Sequence, residues 1–236
     1  MLYQPYQKLA LVYDKIYVRQ GSFFSGYAVF INKVIKENGI KNAKILDIAC
    51  GTGELIRKLK KENIRIEGVD LSGEMIEIAK KRNRGVKFYV CDLANFRLNK
   101  KYDLITCTFD SINYITSKRD LRKTFRNVAK HLNKGGIFVF DFNTIYKKVK
   151  EKMIQEGVVF ISKMRGRNWN IEIIIKKGNK IFKERHRERL YSLKEIESAI
   201  SENEMKIAEV YSDFKNKIKE PDKYQRLIVV AKRAFA

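Results

Sequence analysis

The chain has 236 residues, 44% hydrophobic and 33% charged, which is enough apolar material for one substantial domain or one domain carrying a lid. Its 50 Lys and Arg against 27 Asp and Glu give a formal net charge of +23, a field that attracts polyanions and brings nucleic acid and anionic metabolites into consideration. No run approaches the roughly 18 apolar residues of a membrane span, no basic region followed by an apolar stretch opens the chain, and Cys50, Cys91 and Cys107 lack the spacing of a disulfide framework or a zinc site; the expectation is a cytoplasmic protein with three buried thiols and no metal.

From Gly21 to Asn38, apolar residues recur at steps of three and four, which predicts a helix with one buried face. The N-terminal segment containing Tyr13 reads as an amphipathic helical cover. "AKILDIA" predicts a strand, followed by a glycine turn and a helix from about Glu54 to Glu62. "IRIEGVD" predicts a second strand, with Ser72 as N-cap of the next helix. "VKFYVCD" and "YDLITCTFD" predict the third and fourth strands. Ser117 and Asp120 suit a capping box before a helix striped by Leu121, Phe125, Val128 and Leu132. Gly135 and Gly136 are expected to end that helix before the strand "IFVFDFN".

Alternating strands and helices, with strands apolar on both faces, imply a doubly wound α/β domain around a mostly parallel sheet. Beyond Tyr146, "GVVFISKM", "WNIEIIIKK" and "KIFKERHRERLYS" read as an antiparallel meander with no parallel partner, a candidate lid. Ser192 and Glu195 form another capping box, and two last strands are expected to close the edge of a seven-stranded sheet. The boundaries are an α/β core with its N-terminal cover over 1–145, a lid insertion over 146–191, and a C-terminal helix with two strands over 192–236.

The chemistry centres on "KILDIACGTGELIRKLKK", where an apolar strand turns into a helix through glycines. A P-loop would need Gly-Lys-Ser/Thr, which is missing, and a dinucleotide fingerprint would need a third glycine where Ile56 stands. Asp47 lies within the strand before the turn, suited to ordering the loop's amides or meeting a cationic ligand group. Asp70, Asp92 and Asp110 follow at the carboxyl ends of later strands, where ligands of open α/β sheets bind.

These segments, together with "GVDLSGEMIEIAKK", "VCDLANF", "YDLITCTFDSINYI" and "VAKHLNKGGIFVFDFN", resemble the class I S-adenosylmethionine-dependent methyltransferases across essentially the whole chain. The resemblance implies that S-adenosylmethionine sits at the glycine turn, near Asp47, Ala49, Gly51 and Gly53. It also implies that Asp70 holds the ribose, with Leu71 and Met75 against the adenine, Asp92 and Leu93 on the adenine edge, and Thr108 and Phe109 near the sulfonium. Ala49 stands where the family commonly has its first glycine. An N-terminal Tyr6, Ala10, Tyr13, Asp14 pattern and an Asp110, Ser111, Asn113, Tyr114 pattern resemble a branch of small bacterial and archaeal members carrying an antiparallel insertion, in which Tyr13 would touch the cofactor.

Methyl transfer is an in-line displacement on an already activated carbon, so alignment and exclusion of water matter more than a protein nucleophile. Asp110, Asn113, Tyr114 and His186 are the candidates on the acceptor side, although Asn113 and Tyr114 could equally pin their loop. His131 reads as a cation at a helix C-terminus. Phe160, Trp169, Phe182 and Tyr191 could line an apolar pocket or serve as core. From Lys147 to Arg189 there are 14 Lys and Arg against 5 Asp and Glu, a net +9 on the lid. The favoured acceptor is a small molecule; the alternatives are an RNA bound by the basic lid, and a protein that binds S-adenosylmethionine without catalysis.

Overall fold

A computed structural model describes residues 2–3, 5–18, 22–60 and 63–234. In chain order the elements are β1 (Leu2–Tyr3), α1 (Ser22–Glu37), β2 (Lys44–Ile48), α2 (Glu54–Leu59), β3 (Arg65–Asp70), α3 (Gly73–Arg82), β4 (Lys87–Val90), β5 (Tyr102–Cys107), α4 (Lys118–His131), β6 (Leu132–Asn143), β7 (Lys152–Gln155), β8 (Val158–Arg165), β9 (Asn168–Lys177), β10 (Lys180–Arg189), α5 (Leu193–Ser201), β11 (Met205–Tyr211) and β12 (Arg226–Arg233). Gly21, expected to open α1, and Glu62, expected to end α2, lie outside the described residues, but α2 already stops at Leu59, where Lys60 turns to an extended backbone.

The main sheet has seven strands in the order β11-β12-β6-β5-β2-β3-β4. Strands β2 to β6 are parallel, and β12 and β11 add to the β6 edge antiparallel. Successive side chains of a strand point to opposite faces, and the core divides accordingly. Leu46, Ile48, Ile105, Phe138 and Phe140 pack toward α4 and α5, while Ile45, Leu104 and Val139 pack toward α1, α2 and α3. Chain order reverses between β2 and β5, so the carboxyl ends of those strands open the crevice where doubly wound sheets bind ligands.

Helix ends follow local chemistry. The Ser72 hydroxyl accepts the Met75 N–H, and Ser192 with Glu195 forms the full reciprocal capping box. At α4 the Ser117 hydroxyl accepts the Asp120 N–H, but the reciprocal bond to the Ser117 N–H is not made. Gly135 and Gly136 do not end that helix. It stops at His131, and the glycines lie within β6, where Gly135 takes φ +72° and the register against β5 shifts.

The lid is a second sheet of five strands, β1-β10-β9-β8-β7. The meander has one strand more than expected, the short β7, and it does have a parallel partner, because β1 pairs with β10. Between lid and core runs the N-terminal segment, as a 3-10 turn (Leu9–Leu11) and a π-helical turn (Asp14–Val18) rather than the regular helix expected. Leu9 and Ile16 bury themselves against Val158, Phe160, Ile171, Ile173 and Ile175 of the lid. Of the three cysteines, Cys50 and Cys107 are buried and Cys91 only half-buried. None of the described helices is long and apolar enough to cross a membrane.

Candidate active site

The turn after β2 places Ala49, Gly51 and Gly53 at φ +54°, +54° and +72°. A side chain on Gly53 would collide with Asn83 Nδ2 at 2.6 Å, whereas one on Gly51 would meet nothing within 4 Å. Gly53 therefore serves the joint between α2 and α3, while Gly51 borders open space. Ala49 holds a left-handed conformation that costs an L-residue on the order of 1 kcal/mol.

Asp70 fastens this turn. One carboxylate oxygen accepts the Gly51 N–H at 2.8 Å and the other accepts the Ser72 N–H at 2.9 Å. Burial pushes its carboxyl above the ordinary range, and the amide bonds only partly offset this. The expectation that Asp47 would hold the loop's amides is corrected: Asp47 accepts the hydroxyl of Thr106, its register partner on β5, at 2.7 Å. Burial pushes Asp47 up to about 7, with Thr106 opposing and Asp70 reinforcing the shift. Among the described residues no cation pairs with it.

A cavity of about 900 Å³ opens at these strand ends. Tyr13, Asp47, Ala49, Gly51, Asp70, Leu71, Met75, Asp92, Leu93, Thr108 and Phe109 all line it; of the cofactor-side residues read from sequence, Gly53 alone does not. Met75 is buried and Leu71 is 68% exposed at the rim. Asp92 uses one oxygen to accept the Ala94 N–H and the Asn95 amide, leaving the other free of them. Phe109 sits at φ +60° and stacks on Phe24 at 4.2 Å, which shapes the wall beyond the end of β5.

The acceptor-side candidates separate. Tyr114 lines the cavity. Asp110 does not: it pairs with Arg226, accepts the Asn143 amide, and gives its own N–H to Asp141. Asn113 is fully buried, accepting the Asn143 N–H and donating to the Asn143 and Arg189 carbonyls, so it pins the loop. His186 is buried behind the wall, with Nδ1 2.8 Å from the Tyr114 hydroxyl and Nε2 3.0 Å from Glu184. His131 is not a helix-end cation. Its Nε2 accepts the Leu98 N–H and its Nδ1 bonds the Asn127 carbonyl, while burial lowers its pKa. The four lid aromatics form no common pocket, since Tyr191 belongs to the main core and Phe160 to the core beneath the lid.

Other site residues were not legible beforehand. Asp14 accepts the Thr52 hydroxyl at 2.7 Å and pairs with Arg82, which also reaches the buried Glu54. Burial would raise Glu54, but Arg57, Arg82 and Lys58 outweigh it and hold the carboxyl below its usual range. Tyr6, Arg185 and Arg187 also line the cavity. The hint in the sequence was the Tyr6, Ala10, Tyr13, Asp14 pattern, which places Tyr6 and Asp14 in one motif with a residue already expected at the site.

The residues present fit S-adenosylmethionine. The Asp70 carboxylate borders the cavity and has more lone pairs than the backbone N–H groups it accepts, the Cβ position of Gly51 is empty, and among the described residues Asp47 is a buried acid lacking a cation.

Comparison with known proteins agrees. Residues 45–136 match a family model described as a methyltransferase domain. The chain is similar to an uncharacterized protein of Methanocaldococcus jannaschii, 32% identical over 83% of this chain and 72% of that one. It is also similar to the dTDP-4-amino-2,3,4,6-tetradeoxy-D-glucose N,N-dimethyltransferase of Saccharopolyspora spinosa, 32% identical over 55% of this chain and only 52% of that one, so it spans about half the length of such curated relatives. The crystal structure of an S-adenosylmethionine-dependent methyltransferase from Clostridium acetobutylicum superposes with a TM-score of 0.83 at 29% identity, covering 97% of this chain and 99% of that one. With the strand-end acids, the glycine turn and the lid in their places, the chain belongs to the class I S-adenosylmethionine-dependent methyltransferases.

Proposed function

We propose that this protein transfers a methyl group from S-adenosylmethionine to a small-molecule acceptor held in the same cavity, by in-line displacement. The observation that carries the reading is that one cavity of about 900 Å³ joins the strand-end acids to the lid. That is the upper end of the size of a single small-molecule site, so it has room for two reactants.

The cofactor supplies a methyl carbon already activated by a sulfonium. The chain's own residues bind, align and exclude water. Asp70 accepts the ribose hydroxyls, Leu71 and Met75 lie against the adenine, and Asp92 and Leu93 take its edge. Asp47 meets the amino group, while Ala49 and Gly51 allow close approach of the backbone. Thr108, Phe109 and Tyr13 border the reacting centre, where alignment lowers the barrier without a protein nucleophile. Arg185 and Arg187, at the lid side of the cavity, suit an anionic acceptor. The Saccharopolyspora relative is named for methylating an amino sugar carried on dTDP, which makes amino sugars on a nucleoside diphosphate the first class to test.

A second reading rests on the lid's exposed Lys163, Arg165, Lys176, Lys177, Lys180 and Lys183, a surface on which RNA could dock. Transfer from methyl-labelled S-adenosylmethionine into a host extract, split into RNA, protein and small-molecule fractions, decides between them. Label in the small-molecule fraction is expected. Label released by nuclease would overturn the acceptor class in favour of RNA.

A further inference from the structure

Tyr6 and Tyr114 line the cavity and their hydroxyls are 2.8 Å apart. Tyr114 continues to His186 Nδ1 at 2.8 Å, and His186 Nε2 to Glu184 at 3.0 Å. Glu184 is fully buried and His186 is 2% exposed. Glu184 also accepts the backbone N–H groups of Tyr6, Lys8 and Leu9. Tyr6 has φ +65°, a conformation unfavourable to a bulky residue, and its N–H bond to Glu184 helps fix it there, with its ring edge-on to His186 at 4.9 Å.

The direction of every proton in this chain follows from its far end. Burial would raise Glu184, but the His186 bond and the amides of Lys8 and Leu9 outweigh it and hold the carboxylate ionised. An ionised carboxylate only accepts, so His186 donates its Nε2–H to Glu184, and in the neutral ring this leaves Nδ1 as the acceptor. Tyr114 must then donate to Nδ1, and its oxygen accepts from Tyr6. What remains at the cavity is the acceptor side of the Tyr6 oxygen. Burial raises both tyrosines above their ordinary range, so they pass protons on rather than keep a charge.

We propose that Tyr6, Tyr114 and His186 form a relay that removes the proton shed by the methyl acceptor, with Glu184 as the positioning residue; this rests on the reading of the cavity as a methyl-transfer site. The acceptor heteroatom's lone pair forms the bond to the methyl carbon, and the carbon–sulfur bond breaks with its electron pair left on sulfur. The heteroatom's proton passes to the Tyr6 oxygen as Tyr6 gives its own to Tyr114 and Tyr114 gives its own to His186 Nδ1. The resulting imidazolium is paired with Glu184 until product leaves. The titratable groups facing the His186 ring are Glu184 on its own strand, Tyr6 on the N-terminal segment and Tyr114 on the turn after β5; Glu188 and Asp110 act on the tyrosines, and the register partner on β9, Ile171, carries no charge.

The chain has two histidines, and their hydrogen-bond partners call for opposite tautomers of the neutral rings, His131 with its proton on Nδ1 and His186 on Nε2. Long-range proton–nitrogen NMR of the ligand-free, imidazole-labelled protein reads both. A proton on His186 Nδ1 would overturn the relay whether or not the protein methylates anything. Tyr6→Phe keeps the ring and removes only the oxygen, and His186→Gln removes the terminal acceptor. Each is expected to slow label transfer into the small-molecule fraction of the host extract by about a hundredfold at neutral pH, with the deficit shrinking as pH rises. S-adenosylhomocysteine affinity, read by calorimetry, should stay within about threefold. Parental rates in both variants would overturn the relay. If the parent itself labels no small molecule, the reading of function fails and the tautomer alone judges the hydrogen-bond chain.

Discussion

The Thr52 hydroxyl donates to the carboxylate of Asp14 at 2.7 Å, tying the N-terminal segment to the glycine turn. On the proposed reading that bond makes the segment part of the cofactor site, and the same aspartate also holds Arg82 at the end of α3. Asp14→Ala would leave the threonine hydroxyl and one face of the guanidinium without their partner. Losing bonds to a charged group costs about 1.5–3 kcal/mol, so S-adenosylhomocysteine should bind at least tenfold more weakly by calorimetry while the fold survives. An unchanged affinity would remove the segment from the cofactor site.

Gly51 and Gly53 share a left-handed backbone but differ in what surrounds them. Gly53→Ala drives a methyl group to 2.6 Å from Asn83 Nδ2 and 3.1 Å from Ala79 Cβ, so a clear fall in melting temperature is expected. Gly51→Ala adds only backbone strain, on the order of 1 kcal/mol, yet projects its methyl group toward the cavity. A variant that stays folded but loses cofactor binding is the expected result; a folded Gly51→Ala with parental affinity would move the cofactor away from this turn.

Asp47 makes stability fall as pH rises. Its ordinary value is 3.8 and burial pushes it up to about 7, so between these values the folded chain keeps a proton that the unfolded chain has released. The loss builds across that window and is complete above it, reaching on the order of 4 kcal/mol. Asp47→Asn should therefore raise the melting temperature at pH 8 and leave it nearly unchanged at pH 4. On the proposed reading the same substitution should weaken S-adenosylhomocysteine binding, since it removes the carboxylate assigned there to the amino group.

His131 acts in the opposite direction along the pH axis. Burial lowers it from 6.5, so below that value the unfolded chain takes up a proton that the folded chain refuses. Stability present at neutral pH is lost as the solution is acidified. Urea unfolding at pH 5.5 and 7.5 should show a smaller difference in His131→Gln than in the parent. An equal difference would mean that the ring carries a charge in the folded state.

Much of this was legible in the sequence because it follows from local chemistry. The strands of the parallel sheet are short apolar runs, and Ser72 and Ser192 cap their helices through bonds only three residues long. The strand-end acids Asp47, Asp70 and Asp92 reach one cavity because parallel strands deliver their carboxyl ends to the same edge. Asp110 shares that edge, but a left-handed backbone at φ +49° turns it toward Arg226, 116 residues away.

The pattern of apolar periods, caps and glycines by itself determined the sheet, its helices and the crevice, since each depends on neighbours within a few positions or on a period that repeats along one element. Only the tertiary structure decided what each polar group does there. It set Asp70 rather than Asp47 on the turn's amides, made His131 a neutral buried acceptor, gave the lid a strand from the N-terminus, and brought Tyr6, Tyr114, His186 and Glu184 into one chain. The reason is physical: a buried polar atom must find a partner wherever the packing places one, and the partners came from segments up to 178 residues apart.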